Sequence, residues 1–182
     1  MKKATRTPLM LLIMFCFFFL YGHTWTGNAF LYGQTNMPDS KLESLAKNFS
    51  YVLGSGPKLT LKDGLYEEGR SIQDYARIRL DSLTTDDLNG DGLKDIAVVL
   101  ASNFGGSGHF YILTVLLNKA DGLKQTNNLD LGDRVVIQSL TISQGKILME
   151  ILTHGPDDPM SSPSKRIKSR YRLDGEALRE IK

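Results

Sequence analysis

Asp87-Leu88-Asn89-Gly90-Asp91-Gly92-Leu93-Lys94-Asp95 is the stretch from which the rest of the chain is read. Side-chain oxygens recur at positions 1, 3 and 5 (Asp87, Asn89, Asp91). Gly92 stands at 6, where a sharp turn is needed, Leu93 at 7 can offer its carbonyl, and Asp95 at 9 adds a carboxylate. Hard cations that take six to eight oxygen ligands in flexible geometry, calcium above all, are wrapped by this spacing. The alternative is a turn rich in Asp and Asn whose side chains bond their own backbone and hold no ion. An EF-hand would require a bidentate Glu at position 12. Here that residue is Val98 and neither flank has helical periodicity, so an EF-hand is excluded.

The flanks read as strands. Ala76, Ile78 and Leu80 alternate with Arg77, Arg79 and Asp81, the period of a half-buried strand. Ile96-Ala97-Val98-Val99-Leu100 is a short apolar run, the pattern of a strand covered on both faces. Asn103-Phe104-Gly105-Gly106-Ser107-Gly108 follows, and then Phe110 to Leu117, the most apolar segment beyond the first thirty residues. Strand, oxygen-rich loop and strand together resemble the calcium loops of FG-GAP and VCBS-type repeats. A propeller needs at least four four-stranded blades, and only one copy of the loop and no internal repeat is present. A propeller is therefore rejected.

The chain is also similar to a group of small bacterial secreted or lipoprotein-type domains with one such loop embedded in a sheet. The likeness extends to Leu131-Gly132-Asp133-Arg134-Val135, to Ser139-Leu140, and to Thr153-His154-Gly155-Pro156-Asp157-Asp158-Pro159-Met160. Two cysteines often follow that methionine in the group, whereas this chain has Ser161 and Ser162. The resemblance implies a fold and an exported location, and it implies no particular activity.

From the amino terminus, Lys2, Lys3 and Arg6 precede an unbroken apolar run from Leu9 to Tyr21, the charged and hydrophobic regions of a secretory signal. Gly27 and Ala29 have the spacing for cleavage after Ala29; the alternative is a leader retained as a membrane anchor. Cys16 has no lipobox around it. Loss of residues 1–29 removes three of 22 basic residues, none of the 20 acidic ones, and the single cysteine. The remainder is near neutral, which gives no basis for bulk nucleic-acid binding. It also has no disulfide available in an oxidising compartment, so a bound ion is the natural staple.

Residues 30–37 read as an irregular arm and 38–182 as a single domain. Ser40-Lys41-Leu42-Glu43 fits a capping box, and Leu42, Leu45, Ala46 and Phe49 mark one helical face that Gly54-Ser55-Gly56-Pro57 should end. Beyond Lys58 closely spaced strands are expected: 58–61, 65–67, 75–83, 96–100, 110–117, a strand from Gly132 or Asp133 to Ile142, then 146–153, 167–173 and 177–181. The predicted class is α+β, mostly β: an antiparallel meander with one short amphipathic helix, the helix and core on one face.

Three further stretches are candidate sites. His154 beside Asp157 and Asp158, with Ser161 and Ser162, offers acid/base groups, but no nucleophile elbow surrounds either serine, and no catalytic residue is assigned. The plainer reading is a rigid turn whose side chains cap backbone groups. Gly105-Gly106-Ser107-Gly108 lacks the Lys-Ser/Thr ending of a phosphate-binding loop, and His109 has no second soft ligand nearby. Arg166, Lys168, Arg170 and Arg172 alternate with Ile167, Ser169, Tyr171 and Leu173, placing four cations on one strand face. That stripe suits an anionic envelope polymer, lipid headgroups or an acidic exported partner; otherwise it is a solvated face that discourages edge aggregation. The expected role is a secreted or periplasmic, calcium-stabilised binding or structural module, with no nucleic acid as partner and membrane contact only through an uncleaved leader. The alternatives are a hydrolase of envelope polymers using His154 with Asp157 or Asp158, and an inhibitor or partner-binding protein using the basic strand.

Overall fold

The computed structural model describes residues 36–181, so the expected leader and most of the arm lie outside the described residues. Among the described residues one helix, α1 (Asp39–Lys47), precedes three antiparallel sheets. The smallest pairs β1 (Ser50–Val52) with β2 (Lys58–Thr60). The largest runs β3 (Leu65–Glu68), β4 (Ala76–Asp86), β5 (Asp95–Asn103), β6 (Phe110–Lys119) and β7 (Gly122–Gln125), with β8 (Leu129–Asp133) also paired to β6. The third contains β9 (Val136–Ser143), β10 (Lys146–Thr153), β11 (Lys165–Asp174) and β12 (Ala177–Ile181), in the order β12-β11-β10-β9. The α+β, mostly β class is as expected, and no barrel closes.

The meander is folded into layers rather than laid out as one sheet. All nine residues of β5 are buried. Ile96, Val98 and Leu100 pack with Leu42, Ala46, Tyr51, Leu61, Ile78 and Leu116 under the helix and small sheet. Ala97 and Val99 join Leu113, Val115 and Leu117 in a second core with Ile147, Met149, Ile151, Tyr171 and Leu178 of the third sheet. The core expected on one face of the sheet thus occupies both. Alternate side chains of a strand point to opposite faces, so the continuous apolar runs of β5 and β6 supply both cores at once.

Several boundaries differ from expectation for local reasons. Ser40 is not the helix cap. Pro38 takes that place with φ −63° and ψ 148° and no side-chain cap bond, its ring matching the entry geometry of a helix. Asp39 opens the first turn and accepts from Thr85 Oγ1 at 2.7 Å and Lys94 Nζ at 2.8 Å, where a carboxylate also suits the positive end of the helix. The helix stops at Lys47. Phe49 lies beyond it, edge-on to Tyr51 with ring centroids 5.1 Å apart, and Gly54 to Pro57 instead connect β1 to β2. Gly132 and Asp133 close β8 rather than open a strand. Arg134, at φ 48°, turns the chain out of the central sheet and into β9.

Leu100→Ala, at a position with no exposure, should lower the unfolding free energy by about 2–5 kcal/mol in urea melts. Leu148→Ala, on the open face at 37% exposure, should cost only about 0.5 kcal/mol.

Candidate functional site

β4 and β5 stay paired down to Asp86 and Asp95, so the oxygen-rich loop is the closure of one hairpin. Asp87 accepts through one carboxylate oxygen from Gly90 N at 2.7 Å and through the other from Gly92 N at 2.8 Å. Asn89 Oδ1 accepts from Asp91 N at 2.9 Å, and Asp91 Oδ1 from Leu93 N at 2.8 Å. Gly92 sits at φ 84°, a left-handed conformation open to glycine at no steric cost. Leu88 and Leu93 are buried and anchor the loop to the body. Asn36, from the end of the arm, clamps it from outside, donating to Gly92 O at 2.8 Å and accepting from Lys94 N at 2.9 Å.

Asp95 differs from its neighbours. It has no exposure, and its two oxygens accept from Leu88 N at 3.1 Å and from Asn118 N at 2.9 Å. Burial pushes its carboxyl above the usual range, those N–H groups pull it back, and the charges of Asp91 and Asp87 push it up further. Among the described residues, none of Asp87, Asp91 and Asp95 forms an ion pair; the nearby Lys94 is turned to Asp39.

The donor set is all oxygen, and each oxygen that accepts one N–H keeps a second lone pair, which fits a hard cation. Among the described residues, no three His, Cys, Asp or Glu side chains are drawn together as a metal-holding group. Of the expected ligands, Asp87, Asn89, Asp91 and Leu93 lie in the β4–β5 loop and Asp95 at the start of β5. Beside them runs a groove of about 610 Å³ between the helix and the β6–β7 turn, lined by Met37, Leu45, Phe49, Leu93, Asn118 and Leu123 among others.

The His154 loop is built differently from a catalytic pair. Asp158 accepts from Gly155 N at 2.8 Å, Ser164 N at 2.7 Å and Ser164 Oγ at 2.7 Å. These donors hold its carboxyl below the usual range, with His154 adding a smaller pull. Both ring nitrogens of His154 are buried without a hydrogen-bond partner among the described residues, so His154 is bonded to neither Asp157 nor Asp158. Asp157, Ser161 and Ser162 are exposed.

Arg134, in the sequence only one residue of the Leu131–Val135 motif, joins two candidate loops. Its guanidinium donates to Ser107 O at 2.7 Å, pairs with Asp133 at 2.7 Å and reaches Met160 Sδ at 4.0 Å. Gly105 cannot carry a side chain here, since a Cβ would lie 2.3 Å from Ile72 O. The glycine-rich turn is therefore a fitted connection held from the β8–β9 corner. Arg166, Lys168, Arg170 and Arg172 all project from the open face of β11, while Tyr171 is buried in the core behind them.

Compared with protein-family models, curated proteins and solved structures, the chain matches none.

The Asp158 cap carries a pH dependence of definite sign. Because its folded pKa lies below its unfolded one, the native state binds fewer protons between the two. The cap then contributes stability above about pH 4, lost as pH falls through the folded value. Thermal unfolding followed from neutral to acid should show a shallower acid decline in Asp158→Asn than in the parent protein.

Proposed function

We propose that this chain is an exported, calcium-stabilised β-rich module that binds or organises an envelope or extracellular component. The supporting observation is Asp95, a fully buried carboxylate beside Asp87 and Asp91 with no basic partner among the described residues. Uncompensated charge of one sign out of water is costly, and a divalent cation seated among the loop oxygens offsets that cost where backbone N–H groups do so only in part. Asp87, Asn89 and Asp91 would supply side-chain oxygens, Leu93 its carbonyl, and Asp95 a carboxylate from the start of β5.

The ion's role in this reading is structural. It would close the β4–β5 hairpin at the point where the most buried strand begins, replacing the disulfide that a chain with a single cysteine, Cys16, cannot form within itself. Export rests on the leader pattern at Lys2 to Ala29, and secretion or a periplasmic location follows from it. Binding is assigned to the exposed faces rather than to catalysis, since His154 lacks the orienting hydrogen bond that a general base requires.

Millimolar calcium should raise the melting temperature of the protein, with a gain of about 2.7 kcal/mol where the ion is at a hundred times its dissociation constant. Asp91→Ala should abolish the gain, and magnesium should give little of it. An unchanged melting temperature at millimolar calcium would remove the ion from this account.

A further inference from the structure

Strand pairing in the third sheet assembles a cationic surface from three strands. On the open face Arg172 of β11 stands opposite Arg179 of β12. Lys146 follows in register from the Ile147–Tyr171 pair, which places it at the level of Arg172 on the other side. The next level along holds Leu148, Arg170 and Ile181, and beyond it Glu150 lies opposite Lys168, then Leu152 opposite Arg166. Glu150 pairs with both Arg166 and Lys168, and Asp174 with Arg179 at 2.8 Å. Lys146, Arg170 and Arg172 are exposed and form no ion pair among the described residues.

Edge protection does not account for this arrangement. Like charges on an edge strand deter pairing with another chain, but β11 is paired on both sides, and β9 and β12 are the edges. Asp174 offsets the charge of Arg179 opposite Arg172, but Lys146, level with Arg172 on the other side, has no acidic partner among the described residues, and like charges directly opposite each other weaken a sheet. An anionic ligand would relieve that repulsion.

The layout is linear. Alternate residues of β11 set Arg166, Lys168, Arg170 and Arg172 about 6.6 Å apart in one row. Parallel to them on β10 run Leu148 and Leu152, the first 37% exposed, and on β9 the exposed hydroxyls of Ser139 and Thr141. A cationic row beside apolar and hydroxyl rows matches a polymer that alternates anionic groups with short carbon linkers. The face presents no aromatic ring on which bases could stack, since Tyr171 points into the core.

We propose that the open face of the β9–β12 sheet binds a linear polyanion, a phosphodiester polymer with short polyol linkers, along the Arg166–Arg172 row. This deepens the reading of an exported binding module by naming its ligand class, and it does not depend on the ion in the loop.

The test measures binding of the full chain, in EDTA and at low salt, to a long glycerol-phosphate oligomer. Arg170→Gln/Arg172→Gln should weaken binding roughly tenfold and reduce the slope of log affinity against log salt by about 1.4. Lys58→Gln/Lys62→Gln, with the same change in net charge at exposed positions elsewhere, should bind as the parent does. Circular dichroism and melting temperature verify that both variants fold. Equal loss in both variants, absence of parent binding, or capture by phosphatidylglycerol vesicles without capture by the oligomer would each overturn the proposal. The calcium-dependent melting shift is measured separately, so failure of the polymer to bind and failure of the ion to bind are told apart.

Discussion

Asp95 begins the central strand as a carboxylate without exposure, and its bonds tie together the parts of the molecule that must meet there. One oxygen takes the N–H of Leu88 from the preceding loop, the other the N–H of Asn118 from the neighbouring β6. A buried carboxyl group is costly unless its oxygens take part in hydrogen bonds. The hairpin loop, the start of β5 and the end of β6 are therefore held in a single arrangement. From that point β5 runs inward as nine buried residues.

Being covered on both faces makes β5 the shared wall of two cores. The helix and the small sheet close one, the carboxy-terminal sheet the other. The two polar loops lie at opposite ends of β5: the oxygen-rich loop at its entry, and the glycine-rich turn at its exit toward β6. The second end is fastened by Arg134, whose left-handed backbone redirects the chain and whose guanidinium grips Ser107 O and Asp133. The proposed ion and the proposed binding surface are thus compatible, because the loop and the open face lie on different layers. An ion closing the hairpin would leave the open face of β9–β12 unoccupied.

That open face shows how a sheet converts sequence alternation into a surface. One strand supplies a row of cations, and register with its two neighbours decides whether the row is neutralised or extended. Glu150 neutralises Arg166 and Lys168, Asp174 neutralises Arg179, and Lys146 extends the row beside Arg172.

Local pattern was sufficient wherever the information is itself local. The alternation of Ala76, Ile78 and Leu80, the apolar run from Ile96 to Leu100, the helical face of Leu42 and Ala46, and the alternation along Arg166 to Leu173 each declare an element and its buried side, because side-chain direction follows from backbone period. The sequence by itself therefore determined the mostly β class, the oxygen-rich closure and the basic stripe. Only the tertiary structure decided that the strands divide into three sheets, that the chain changes sheet at Arg134, and that β1, β7 and β8 exist at all. It also decided that Asn36 clamps the loop and that Asp95 brackets two strands. Those outcomes depend on contacts between residues far apart in the chain, and strand pairing energy resides in cross-strand neighbours that no single stretch of sequence names.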